Sequence, residues 1–263
     1  MKDIKVIVAT HKKYRMPKDK LYLPLHVGAS INKKDLGYIK DNTKKNISKK
    51  NPFFCELTGL YWAWKNLDND YIGLVHYRRH LALKKIKSKD IDKKFNSLLT
   101  LKEANKLLKD IDIVLPNKRN YYIENLYDHY KHTMYIEPLD ETRKIIEEKY
   151  PKYLKEFDKL HKRRSAHMFN MFIMKKSVLD KYCEWLFDIL FELEKRVDVK
   201  QYDMFHSRFY GRVSELLLDV YINTNNLKYK EIYFVDIDNI NWLKKGTSFL
   251  KAKFFGKKYE GSF

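Results

Sequence analysis

Two runs of β-branched and aliphatic residues, Ile4–Thr10 and Tyr71–Val75, stand on either side of an amphipathic helix pattern, and this order restricts the fold more than any other feature. Each run is almost continuously apolar, as strands buried on both faces are. Asn51-Pro52 opens the helix: Asn can cap it, and Pro at the first helical position loses an N–H that would have no intrahelical partner. Phe53, Phe54, Leu57, Leu60, Tyr61, Trp64 and Leu67 then recur at helical spacing on one broad face, until Asp68-Asn69-Asp70 breaks the pattern. Strand, helix, strand predicts an α/β unit with a mostly parallel sheet.

The rest of the chain extends this reading. Leu21–Ala29 reads as a second extended segment, and the lysine-rich, aperiodic stretch from Asn32 to Lys50 as a long loop of the kind that often carries function. Helical spacing returns near 98–108, a strand is expected at Ile111–Leu115, and three helices near 121–131, 138–149 and 151–160. His167–Met174 reads as a strand, Ser177 as the cap of a long helix, 201–223 as one further helix, and Ile232–Val235 as a late strand. The expected organisation is one domain over 1–240, with a helical insertion around 118–162, and a basic aromatic tail over 241–263 that carries Trp242, Phe249, Phe254, Phe255 and Phe263.

Charge narrows the partners without choosing one. The 54 Lys and Arg against 34 Asp and Glu leave +20 at pH 7, which suits a polyanion, an anionic membrane surface or a phosphate-bearing ligand. A hydrophobic share of 44%, with only 8 Gly and 6 Pro in 263 residues, excludes a disordered or collagen-like chain. Cys55 and Cys183 have no metal-type spacing, so a reducing cytoplasm is expected. Met1-Lys2-Asp3-Ile4-Lys5-Val6 reads as a first strand rather than a signal peptide, and no run approaches the roughly 18 to 20 apolar residues of a membrane span. Absence of GxGxxG, GxxxxGK[ST] and GxSxG patterns argues against a dehydrogenase, a P-loop NTPase and an α/β-hydrolase.

The sharpest chemical signal is His76-Tyr77-Arg78-Arg79-His80 at the exit of the Tyr71–Val75 strand. Open α/β sheets bind ligands beyond the C-terminal ends of their strands, and arginine's fixed fork of donors matches phosphate oxygens. The other reading of this block is a solvated loop paired with surface carboxylates. Arg208, Arg212, Glu215 and Asp219 share helical spacing and predict a polar stripe, which is a salt-bridge ladder unless a ligand draws the arginines away. Thr10-His11 at the first strand end could meet a nucleobase or ribose, while Asp41, Asn46 and Ser48 could close over a ligand from the long loop. The histidines at 129, 132, 161 and 167 complete no metal motif. Of the Asp-x-Asp pairs that could hold a divalent cation, Asp236-Ile237-Asp238 is the best placed, following a strand rather than preceding one.

These pieces together resemble a known family. Val8-Ala9-Thr10-His11-Lys12, Asn46-Ile47-Ser48, Asn51-Pro52 with Cys55-Glu56-Leu57-Thr58, Tyr61-Trp62-Ala63-Trp64-Lys65-Asn66, Tyr71 to Arg79, the Asp112–Pro116 strand, Asn170-Met171-Phe172-Ile173-Met174 and Ser214-Glu215-Leu216-Leu217 are similar to the bacterial glycosyltransferase-like family catalogued as the domain of unknown function 4422, found among capsular and exopolysaccharide synthesis proteins. The resemblance runs roughly from Ile4 to Asn225 and implies a GT-A-like nucleotide-sugar-binding fold with a central mostly parallel mixed sheet and additional helices. It implies a UDP-sugar donor and transfer of galactofuranose or galactose to a polysaccharide or lipid-linked glycan acceptor. The His76–Arg79 block stands where metal-dependent GT-A enzymes carry Asp-x-Asp, so the resemblance favours donor binding without required Mn²⁺ or Mg²⁺. The loop Asn42–Asn46 lacks a glycine that relatives tend to show.

On this reading Thr10, His11, Asn46, Ser48, Arg78, Arg79 and Arg208 bind the donor or its anion, His76 contacts the same phosphate or orients Tyr77, and Glu215 and Asp203 contact the acceptor hydroxyl. A cytoplasmic protein resting peripherally on the inner face of the plasma membrane is expected. Two readings from other classes stay open: a nucleic-acid-binding protein, suggested by +20 and 39 aromatic residues but lacking any known motif, and a non-catalytic glycan-binding scaffold with the enzyme's fold.

Overall fold

The computed structural model describes residues 2–238, so the expected tail at 241–263 lies outside the described residues. In chain order the elements are β1 (Ile4–Thr10), β2 (Tyr22–His26), β3 (Ile39–Lys40), α1 (Asn51–Phe54), α2 (Leu57–Asn66), β4 (Tyr71–His76), β5 (Arg79–Ala82), α3 (Ile91–Asn96), α4 (Leu101–Leu107), β6 (Ile113–Pro116), β7 (Arg119–Asn120), α5 (Leu126–Thr133), α6 (Glu137–Lys149), α7 (Leu154–His161), β8 (Ser165–Ala166), β9 (Phe172–Lys175), α8 (Lys176–Arg196), α9 (Phe209–Thr224) and β10 (Lys230–Asp236). They divide into two compact units. The first runs through Asn117 and adds Phe169–Glu184 and Leu227–Asp238; the second comprises Lys118–Met168 and Trp185–Asn226.

The first unit is built on a mixed sheet. β3, β2, β1 and β4 are parallel neighbours, with Thr10 opposite His26 and Ala9 opposite His76, so the polar ends of all four strands emerge along one edge. β9 runs antiparallel along the first four residues of β4, Leu74 facing Phe172. β5 meets β4 only at His76 and Arg79, then pairs antiparallel with β10, which lies parallel to β6. Gly73 makes the β9 packing possible: a Cβ there would stand 2.7 Å from the Phe172 carbonyl oxygen and 2.9 Å from Val6 Cγ2.

The long loop after β2 is held from inside. Asp41 is fully buried and accepts hydrogen bonds from the Gly28 and Ala29 backbone N–H groups at 2.9 and 3.1 Å, from Ser48 at 2.5 Å and from Thr58 at 2.8 Å. Four donors replace the water this carboxylate loses, and one buried charge thereby ties the β2 exit, the loop and α2 together.

Five expectations are corrected in detail. The single helix over 51–67 is two, because Cys55 sits at φ 52, ψ −129 between α1 and α2. Asn51 does not cap it; its side-chain amide donates to the Cys55 carbonyl at 2.7 Å and bridges the break. The strand expected at 167–174 is confined in this sheet to Phe172–Lys175, since Phe169 and Asn170 take φ 78 and 52 and no strand runs through two left-handed residues. The helix expected over 201–223 starts at Phe209, preceded by one-turn 3₁₀ segments at 199–201 and 206–208, and Ser177 lies within α8 rather than capping it.

The second unit is mostly helical, with the short β7–β8 pair joining Arg119 to Ala166. Tyr153 stacks on Trp185 at 4.6 Å and on Tyr221 at 6.0 Å, an aromatic core for α7, α8 and α9. α9 is buried on every side from Val213 to Ile222. Among the described residues, no helix is long and apolar enough to cross a membrane.

Gly73→Ala is expected to destabilise the protein by about 1–3 kcal/mol, because backbone rather than a flexible side chain must yield. Thermal unfolding should show a fall in Tm of about 2–4 °C per kcal/mol; an unchanged Tm would mean that β9 is free to move away from β4.

Candidate active site

β4 leaves the sheet in a tight turn rather than a loop. Its ladder with β1 ends where the Tyr77 N–H donates to the Ala9 carbonyl at 3.2 Å, and Arg79 already begins β5. Tyr77 is buried at this corner. His11 and Tyr14, from the β1 exit, strike its ring edge-on at 5.4 and 5.0 Å, and the Lys12 ammonium lies 5.2 Å from its centre. Thr10 is fully buried and its hydroxyl donates to the Lys12 carbonyl at 2.7 Å, so it shapes the turn that presents the exposed His11.

Both arginines of the block face carboxylates from the end of β10. Arg79 Nε donates to Asp236 Oδ1 at 2.7 Å, with the guanidinium carbon 4.3 Å from the centre of the Phe169 ring. Arg78 Nε stands 3.8 Å from Asp238 Oδ2, and the Tyr14 hydroxyl donates to Asp238. Arg79 is the more buried, at 16% side-chain exposure against 36% for Arg78. The Asp-x-Asp pair picked out in the sequence thus neighbours the arginines. Among the described residues, no group of three or more His, Cys, Asp or Glu could hold a metal ion. A cation placed on Asp236 and Asp238 would compete with two guanidinium groups.

On the inner side of the turn His76 lies against a strained segment. Its Nε2 lies 2.5 Å from the Phe169 carbonyl, which can only accept, so Nε2 carries the proton and Nδ1 is left as an acceptor. Burial lowers the His76 pKa, Arg79 and Arg78 lower it further, and the Glu56 carboxylate opposes them; the imidazole is neutral at pH 7. Glu56 in turn accepts from Asn170 Nδ2 at 2.7 Å. Cys55, Phe169 and Asn170, all non-glycine residues at positive φ, therefore gather around one carboxylate and one imidazole.

The other expected residues fall elsewhere. Ser48 is fully buried with its hydroxyl on Asp41, and Asn46 shapes the loop by donating to the Lys44 carbonyl and accepting from the Ser48 N–H. In the second unit, exposed Asp203 accepts from the Phe205 and His206 N–H groups at 2.8 and 3.0 Å and from His206 Nδ1 at 2.5 Å. Burial raises its pKa, but these bonds outweigh it and the net shift is downward. Arg208 is exposed and just precedes α9. The polar stripe expected on that helix is corrected: Glu215 and Asp219 are buried, because α9 is enclosed. Asp219 accepts from the His167 backbone N–H at 3.1 Å and from its ring, and Glu215 lies 3.8 Å from Arg212.

Glu56 and Asn170 were not singled out as site residues in the sequence, although both belong to motif pieces that carry the family resemblance.

Fold and site together define a mixed α/β protein similar to a glycosyltransferase: an apo structure of WbbM, a bifunctional glycosyltransferase, matches 90% of this chain at 32% identity with a TM-score of 0.82. The chain covers 46% of that protein's length. It belongs to the family described as a domain of unknown function (DUF4422), whose model matches residues 5–226. No curated protein matches it.

His80, the last residue of the block, belongs to the core. It is fully buried, edge-on to Tyr22 at 5.7 Å, and burial lowers its pKa from 6.5 to about 3. The unfolded chain therefore binds a proton below pH 6.5 that the folded chain refuses, and stability falls as pH falls. Between pH 7 and pH 5 this group should remove about 2 kcal/mol from the unfolding free energy. Urea unfolding at the two pH values checks it, and His80→Gln should lose that part of the dependence.

Proposed function

We propose that this chain is a glycosyltransferase that moves a sugar, galactofuranose or galactose, from a UDP-sugar to a polysaccharide or lipid-linked glycan acceptor. The observation that carries the reading is the Arg78–Arg79 turn at the C-terminal ends of parallel strands β1 and β4, in a chain 32% identical to a glycosyltransferase structure. Negative charge develops on the nucleotide diphosphate as its bond to the sugar C1 breaks, and donors already fixed there lower the barrier more than they tighten ground-state binding. Arg79 is held in place by Asp236, while the longer Arg78–Asp238 pair is one that a diphosphate can displace. His11, beside Tyr77 and Tyr14, would meet the uracil or ribose.

Asp203 offers an exposed carboxylate to an acceptor and Arg208 an exposed cation to the donor's anion or sugar, whereas Glu215 is read as a buried partner of Arg212. Donor binding is proposed to need neither Mn²⁺ nor Mg²⁺, on the donor set of the turn. A charge of +20 supports peripheral attachment to the anionic inner face of the plasma membrane, with the protein in the cytoplasm.

The test is turnover of UDP-sugars with oligosaccharide and lipid-linked acceptors, beside thermal-shift measurements with UDP, GDP, CMP and their sugars, with and without Mn²⁺. Arg78→Ala should lower kcat by about 10²-fold or more with Tm preserved, and Arg79→Ala should do so with some loss of Tm, since it leaves Asp236 without its cation. Wild-type rates in both would remove the phosphate-neutralising assignment.

A further inference from the structure

Glu56 has the surroundings of a reacting group rather than a structural one. It stands at the N-terminus of the ten-residue helix α2, where the helix dipole favours an ionised carboxylate, yet it makes no cap bond. Its side chain instead reaches Asn170, 114 residues distant in sequence, which donates to Oε1 at 2.7 Å. Oε2 has no protein partner among the described residues. The carboxylate is close enough to His76 for its charge to be felt there, and His76 is itself fixed by the Phe169 carbonyl at 2.5 Å.

This arrangement is held at a cost. Cys55 immediately before Glu56, and Phe169 and Asn170 on its partner segment, all occupy the left-handed region at φ 52, 78 and 52. Strained non-glycine backbone persists where the surrounding structure over-determines it, and such positions cluster at reacting centres. Here the strain on one side aims Glu56 and on the other aims the Asn170 amide and the Phe169 carbonyl. Everything named belongs to the same unit as Arg78 and Arg79.

We propose that Glu56 is the catalytic base of the transfer, with Asn170 as its positioning residue; this rests on the glycosyltransferase reading above. In a single displacement the acceptor oxygen forms its bond to the sugar C1 while its proton passes to Glu56 Oε2. The bond from C1 to the diphosphate oxygen breaks with its electron pair, which leaves on the nucleotide and is neutralised by the arginines. The neutral His76 beside Glu56 adds no cation that would hold the carboxylate back from the proton. One displacement inverts the anomeric centre.

The experiment uses the full chain and the UDP-sugar that the wild type turns over. Glu56→Gln is expected to lower kcat by about 10²–10⁴-fold and to leave UDP binding by calorimetry and Tm unchanged. NMR of the wild-type product should show the anomeric configuration opposite to that of the donor. Glu56→Asp keeps the charge but withdraws the oxygen by one methylene, and should cost about 10- to 100-fold, which keeps the test decisive if the Gln variant folds poorly. Turnover within threefold of wild type in Glu56→Gln, full activity in Glu56→Asp, or retention of configuration overturns the assignment of Glu56 alone. A wild type that neither binds nor turns over any nucleotide sugar overturns the glycosyltransferase reading and this assignment with it.

Discussion

Arg79 and Asp236 face each other across the β5–β10 ladder, and the geometry of the site hangs on this pair. β5 touches β4 at a single position, so nothing in the β4 ladder by itself fixes where the turn at Tyr77 and Arg78 points. The Arg79–Asp236 bond at 2.7 Å, together with the Ile237 N–H donated to the Arg78 carbonyl at 2.7 Å, anchors that turn to the last strand. The pair is only 16% and 24% exposed, so solvent screens it less than it would a surface ion pair. On the proposed function, an arginine held in this way would present a fixed charge to the donor's diphosphate, and fixed charge is what catalysis by electrostatic stabilisation requires.

The second constraint is the approach of β9 to β4. Because residue 73 has no side chain, the β9 backbone comes close enough to pair along Tyr71–Leu74, which brings the segment ahead of β9 to the end of β4. That segment contains Phe169 and Asn170, whose carbonyl and amide engage His76 and Glu56. A glycine in mid-strand, a pair of left-handed residues and a carboxylate before α2 are thus one device. Its members lie far apart in the chain and meet only through the sheet.

Much of the first unit was legible in advance. The apolar runs Ile4–Thr10 and Tyr71–Val75 are strands because continuous aliphatic character suits a sheet covered on both faces, and the exit of β4 does carry the cationic block. The boundary at Cys55 was not legible: the apolar spacing from Phe53 to Leu67 runs straight through it, and periodicity does not report a single reversed dihedral. The enclosed α9 misled in the opposite way. Arg212, Glu215 and Asp219 recur as they would on a solvent face, but Asp219 is hydrogen-bonded by His167, a residue with no local relation to it. Ser48 and Asp41 read as loop residues that could close over a ligand and are instead the interior of a four-donor carboxylate knot.

Local chemistry alone determined that this chain would be an α/β protein with parallel strands, a surplus of positive charge and arginines at a strand exit, since propensity, periodicity and charge are properties of neighbouring residues. It also carried enough of the family's motifs for membership to be read. Which carboxylates those arginines meet, which histidine of the block is core and which bonds the Phe169 carbonyl, and that Glu56 and Asn170 share a hydrogen bond were decided by the tertiary structure. Electrostatics and hydrogen bonding act over a few ångströms of space, and residues more than a hundred positions apart acquire that distance only when the sheet brings them together.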